Sequence, residues 1–259
     1  MFSDAHTHFA GSPLYPDFGG GPLKPAEVQE LLEQARGNGL VLMVVASHDL
    51  SSAKGAVQIA SAEHDVYAAI GLHPWIASPI DDDAYTSFLT LANKPKVVAI
   101  SEIGLDNVRS RVSKDVQVQA LRQMFRLARE TGLPGMIHDK GYHKEMMELL
   151  RSENPPPGAI HGFEGDAAAL KDWLDLDYYV TIGRAVLGAE GEKLKAAVQQ
   201  IPENRILLET DSASRSPEGV LEGQARVVQV AKVVALWRGT SAQELGETTT
   251  KNLRRMLGI

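Results

Sequence analysis

Short apolar, β-branched runs alternate with amphipathic stretches from one end of this chain to the other, the pattern left by repeated strand-helix units around a parallel sheet. The strand candidates are Phe2–Ala5, Val41–Ala46, Val66–Leu72, Val97–Ile103, Pro134–His138, Gly158–His161, Tyr178–Ile182 and Arg205–Thr210. Eight is the number that closes a (β/α)₈ (TIM) barrel. Between them, Pro25–Arg36, Ser51–His64, Asp81–Ala92, Asp115–Thr131, Tyr142–Arg151, Ala167–Leu174, Glu190–Gln200 and Glu222–Arg238 have helical spacing. The clearest is Asp115–Thr131, where Val118, Leu121, Phe125 and Ala128 share one face. The length of 259 residues is near the ~250 typical of this barrel, so an α/β fold of one domain over 1–259 is expected.

No charge block or low-complexity linker divides the chain. The stretch Gly11–Pro25 is loaded with Gly and Pro and is expected to be irregular, either a connector or a cover for substrate through Tyr15 and Phe18. A net charge of −7 argues against a broad electrostatic grip on nucleic acid, although a local cationic or metal-lined site is compatible with it. The chain has no Cys, which excludes disulfides, thiolate metal sites and a Cys nucleophile. Any metal must be held by His and carboxylates. The opening residues Met1 to His6 show neither the charged nor the apolar region of a secretory signal, and no apolar run reaches the ~20 residues of a membrane span. A cytoplasmic protein with no membrane partner is expected; nothing in the sequence specifies a protein partner.

In such a barrel the chemistry sits where strands end and loops begin, because side chains there converge on one mouth. Strand one ends in His6-Thr7-His8, strand three in Gly71-Leu72-His73-Pro74, strand five in His138, strand six in His161 and strand eight in Glu209-Thr210-Asp211. Residues two apart on a strand share a face, so His6 and His8 can reach one ion. Glu102, within strand four after Val97-Val98-Ala99-Ile100, is a carboxylate directed into the barrel, tolerable there if it meets an ion, or else a structural Glu paired with a cation such as Arg184. Having two oxygens, it can bridge two cations. His138 and His161 would complete a second ion, and Asp211 would orient a water and take its proton. His73 faces substrate or supports the ligands, or is simply a hydrogen-bonded loop residue. His64 and His143 read as solvated, and His48 is ambiguous.

In order, the segments DAHTHF (4–9), GLHPW (71–75), SEIGLD (101–106), GLPGMIH (132–138), IHGFEGD (160–166), YYVTIG (178–183), ILLETDS (206–212) and TTTKNLRRMLG (248–258) resemble the TatD family of metal-dependent nucleases, across nearly the whole chain. The resemblance implies a TIM barrel with two divalent cations (Zn, Mg or Mn) at the C-terminal ends of the strands, hydrolysing phosphodiesters of DNA, often from the 3′ end of single strands. It implies that His6, His8 and Asp211 hold one ion and His138 and His161 the other, with Glu102 bridging.

Two segments depart from the family. After the strand-five histidine it usually has a small residue, Arg and an acidic residue, where this chain has Asp139-Lys140-Gly141. Lys140 offers a point charge to a phosphate but not the bidentate fork of Arg. After Asp211 the family tends to Pro-aromatic and a basic segment, whereas here Ser212 to Gly219 form a shorter loop in which Arg215 is the cation. Single-stranded DNA or another phosphodiester is therefore the expected substrate, with His73, Lys140 and Arg215 as its candidate contacts. Hydrolysis of an ester, lactone or aminoacyl ester, or a catalytically silent binding barrel, are the alternatives.

Overall fold

The apolar runs pair side by side in a single parallel sheet. The computed structural model describes residues 1–9, 23–189, 191–212, 223 and 225–259. Its strands are β1 (Phe2–Thr7), β2 (Leu40–Ala46), β3 (Val66–Ile70), β4 (Val97–Asp106), β5 (Gly135–Lys140), β6 (Ala159–Ile160), β7 (Tyr179–Ile182) and β8 (Ile206–Leu208), hydrogen-bonded in that order. Each expected strand is present, and the fold is a (β/α)₈ barrel. Tyr15, Phe18 and Arg215 lie outside the described residues.

The intervening helices are α1 (Pro25–Gly37), α2 (Leu50–Ala62), α3 (Asp82–Ala92), α4 (Lys114–Thr131), α5 (His143–Glu153), α6 (Ala167–Asp175), α7 (Lys195–Gln200), α8 (Arg226–Arg238) and α9 (Ala242–Leu257). The segment expected as a helix over 190–200 begins instead as a 3-10 turn, Gly191–Leu194, and becomes α-helical only at Lys195. Helix α9 lies beyond the last expected helix, which ends at Arg238, yet it is well specified locally. Ser241 accepts from the Glu244 N–H while the Glu244 carboxylate accepts from the Ser241 N–H, a reciprocal cap that satisfies two orphan donors. Gly258 ends the helix at φ 70°.

The strands are buried on both faces, which explains their continuous apolar sequence. In β2, Met43 and Val45 face outward to the helices, in a cluster with Leu31, Ile70 and Phe125, while Leu42 and Val44 face the barrel interior with Ala5, Ala99, Met136 and Leu207. Helix α9 adds Leu253 and Leu257 to that interior cluster, and its Asn252 amide donates to the carbonyls of Glu203 and Ile206 at the start of β8.

Two irregularities in register shape the other end. The β1 to β2 pairing shifts between Asp4 and Thr7, and the β4 to β5 pairing shifts between Ile100 and Ile103, the stretch that holds Ser101 and Glu102. Such shifts bend a strand locally and re-aim its side chains. The Glu102 N–H bonds across to the Ser47 carbonyl at 3.0 Å, so the strand is drawn toward the barrel axis at this residue. The last strand returns to the first through Asp4, whose carboxylate accepts from the Thr210 N–H (2.9 Å) and hydroxyl (2.6 Å). The Asp211 N–H then bonds the His6 carbonyl at 3.0 Å. Burial pushes the Asp4 carboxyl up to about 8, against these bonds.

Candidate metal centre

The strand ends meet around one carboxylate. Glu102, 2 % exposed, has His73 Nε2, His138 Nδ1 and His161 Nε2 at 3.1, 2.7 and 2.9 Å from Oε1, and His6, His8 and His48 Nε2 at 3.4, 3.6 and 3.9 Å from Oε2. Six of the eight histidines thus surround a single acid, divided three to each oxygen. Arg184, the alternative cation for Glu102, is exposed. Burial alone would raise the Glu102 carboxyl, but the imidazoles of His73, His161 and His138 hold it well below its usual range.

The imidazole tautomers follow from the outer partners. His8 Nδ1 lies 3.1 Å from the Ala46 carbonyl, an acceptor only, so Nδ1 carries the proton and the Nε2 lone pair faces inward. That nitrogen meets Asp211 Oδ1 at 3.3 Å and His6 Nε2 at 3.2 Å. Lone pairs and carboxylate oxygens converge there, an arrangement that repels itself without a cation. The same demand appears in the pKa of His8, which burial would lower but which Asp211 and Glu102 raise. The donor set therefore fits a cation held by N and O ligands. Three clusters have ligand-grade geometry among the described residues: His6 with His8 and Glu102, His6 with His161 and Asp211, and His73 with Glu102 and His138.

Asp211 stands at φ 47°, a left-handed conformation for a non-glycine residue, held by its N–H to His6. Burial would raise its carboxyl; the neighbouring His8 and His161 imidazoles hold it far below the usual range. His73 Nδ1 accepts from the Trp75 N–H at 3.0 Å, at the start of the 3-10 turn Pro74–Ile76, so its Nε2 carries the proton and donates to Glu102. His73 is thereby placed inside the cluster, 1 % exposed.

Three further side chains, His48, Asp106 and Glu209, belong to the site. His48 is fully buried and stacks on His8 with ring centroids 4.1 Å apart. It ends a strand just as the other ligand-type histidines do, and that same criterion would have found it. Asp106 and Glu209 back the histidines from outside. Asp106 Oδ2 accepts from the Trp75 indole at 2.6 Å and lies 2.9 Å from His138 Nε2. Glu209 Oε1 accepts from the Gly162 N–H at 2.6 Å and lies 3.3 Å from His161 Nδ1. His143, read as solvated, is instead partly buried and bridges Asp139 (2.9 Å) and Asp172 (3.0 Å). His64 is 85 % exposed, as expected. Lys140 donates to the Gly162 carbonyl at 3.0 Å and pairs with Glu164 at 3.2 Å.

A model of the TatD-related DNase family matches residues 3–258. The chain belongs to the TatD family. Family membership makes it a metal-dependent hydrolase acting on ester bonds, and the TatD-type barrel above carries the His, Glu and Asp clusters that such an enzyme requires. Among similar sequences, this TatD-family chain is 28% identical over 264 residues to the uncharacterised metal-dependent hydrolase YabD of Bacillus subtilis, the match covering all of both chains. It is 29% identical over 240 residues to the 3′-5′ ssDNA/RNA exonuclease TatD of Klebsiella pneumoniae, covering 89% of this chain and 91% of that one. Its barrel superposes on the crystal structure of YjjV, a TatD homologue of Escherichia coli, with a TM-score of 0.83 at 23% identity, covering 100% and 98%. Among the described residues no helix is long and apolar enough to cross a membrane.

Proposed function

We propose that this chain is a two-ion nuclease that removes nucleotides from the 3′ end of single-stranded nucleic acid. The observation that carries the reading is the division of imidazoles about Glu102: His6 and His8 on the Oε2 side, His138 and His161 on the Oε1 side. A carboxylate so placed can bridge two divalent cations, with Asp211 completing the His6 and His8 side. Zn, Mg or Mn suits N and O donors of this kind. When bound, such ions polarise a phosphodiester and lower the pKa of water.

The protein's own residues do the rest. Asp211, beside His8 at the mouth of the site, is the carboxylate that would orient the attacking water and take its proton. At 30 % side-chain exposure it is the most open of the six proposed ligands, the position expected of a group that must reach both water and substrate. His73, its Nε2–H fixed by the Trp75 contact, holds Glu102 in place and excludes water from that side. The similarity to curated 3′-5′ ssDNA/RNA exonucleases supports the substrate class.

The test is hydrolysis of a single-stranded oligonucleotide labelled at its 5′ end, after chelation and with Zn, Mg or Mn added back. A ladder shortening stepwise from the 3′ end, present only with metal and absent in Glu102→Gln, is expected. No shortening under any metal, with turnover of a lactone or aminoacyl ester, would overturn the nuclease reading.

A further inference from the structure

A cavity of about 250 Å³ opens between the loops that follow β5 and β6. Its lining includes Asp139, next to His138, and Ile160 and Gly162, on either side of His161, so the cavity lies at the same end of the barrel as the Glu102 centre. Its volume falls below the ~300–1,000 Å³ of sites for whole drug-sized ligands. A single ring system fits better than an entire nucleotide.

The walls divide by chemistry. Ile160, Phe163 and Trp173 give an apolar, largely aromatic side. The polar side holds Lys140, His143, Asp139 and Glu164. Both cations there already have acidic partners: Lys140 pairs with Glu164, and His143 sits between Asp139 and Asp172. With Asp139 and Glu164 on the wall itself and Asp172 beyond His143, this wall does not favour an anion. It presents donors and acceptors to a neutral partner, and an aromatic face to a flat one. A phosphate is better placed at the metal centre.

We propose that this cavity receives the base of the nucleotide whose phosphodiester lies at the Glu102 centre; the inference rests on the nuclease reading above. Asp139 and Lys140 then belong to a base pocket rather than to a phosphate clamp. Ala169 of α6 also lines the cavity, and a larger side chain there would fill it.

The experiment uses the metal-loaded full chain and two oligonucleotides, one intact and one abasic at the 3′-terminal nucleotide. The wild type should cleave the intact strand about tenfold or more faster in kcat/KM, the size expected of a lost base-stacking contact. Ala169→Phe should erase that preference by lowering the rate on the intact strand toward the abasic one. Equal wild-type rates on the two strands would overturn the pocket while leaving the nuclease reading intact, and they decide the matter even if Ala169→Phe does not fold. A preference that survives in a folded Ala169→Phe would also overturn it. If the wild type cleaves neither strand, the nuclease reading fails, and equilibrium dialysis with free deoxynucleosides then tests the pocket. Saturable binding blocked in Ala169→Leu supports it; no binding, or binding indifferent to the substitution, rejects it.

Discussion

Asp106 Oδ2 lies 2.9 Å from Nε2 of His138, which commits that nitrogen to donating and leaves Nδ1 to face Glu102 Oε1 at 2.7 Å. The same carboxylate takes the Trp75 indole on Oδ2 and the N–H groups of Val108 and Arg109 on Oδ1, each at 2.6 or 2.7 Å. Burial would raise its pKa, but His138, Arg109 and Trp75 hold it below the normal carboxylate range. Outer carboxylates of this kind fix the tautomer and angle of a ligating imidazole.

Asp106→Ala should therefore weaken metal binding by about 10–100-fold, the usual effect of losing such a partner. Competition against a chromogenic chelator measures it. Trp75→Phe, which removes one donor and leaves His138 its acceptor, should have a smaller effect. Unchanged affinity in Asp106→Ala would remove the residue from the site's machinery.

Glu102→Gln keeps size and loses the charge that the surrounding imidazoles face. Hydrolysis should fall about a thousandfold or more, since several kcal/mol of charge stabilisation depend on correctly held ions. Bound metal, counted by elemental analysis, should drop with it. A variant with full metal content and wild-type turnover would contradict the bridging role.

How much of this was legible beforehand follows from the range of each signal. Strand identity comes from local apolar runs, and the ligand-type residues from what stands at their ends; both are properties of a few consecutive residues. Asp106, Trp75 and Glu209 were within the quoted segments SEIGLD, GLHPW and ILLETDS, but their roles depend on contacts between different strands. Asp106 is 32 residues from the histidine it holds, and Glu209 is 47 from Gly162. The register shifts at β1 and β4, which re-aim the strand next to His6 and Glu102, leave no mark in the sequence because they arise only when neighbouring strands pair. His143 differs from its expected solvation for a related reason: a polar residue near a helix start looks solvated until α6 brings Asp172 against it.

Gly104 pairs with His138 across β4 and β5, and a Cβ there would overlap the His138 carbonyl. Gly104→Ala must push the strands apart at the residue that carries a proposed ligand. Overpacking of this kind costs about 2–3 kcal/mol. Denaturant unfolding should show that loss, and metal affinity should fall with it. A variant as stable as wild type would mean that β5 can yield here without cost.

Far from the centre, at the end of the barrel where strands begin, Arg36 of α1 binds Asp65 through Nε (2.9 Å) and Nη2 (2.6 Å), and Glu63 through Nη2 (2.6 Å). Burial would raise the Asp65 carboxyl, but the Arg36 bonds bring it below its ordinary value, and the Arg36 bond lowers Glu63 as well. Both folded pKa values are depressed, so the stabilisation is fully present above the unfolded values near ~4 and is lost as pH falls through the lower folded ones. Arg36→Gln should thus destabilise the protein by about 1–3 kcal/mol at pH 7, as expected for charge-assisted bonds to a largely buried carboxylate. The gap from wild type should stay constant from pH 7 to about 5 and shrink below ~4, while metal affinity is unaffected. Urea titrations across that pH range measure the gap directly, and one that widened on acidification would show that the network does not stabilise the fold through ionised Asp65 and Glu63.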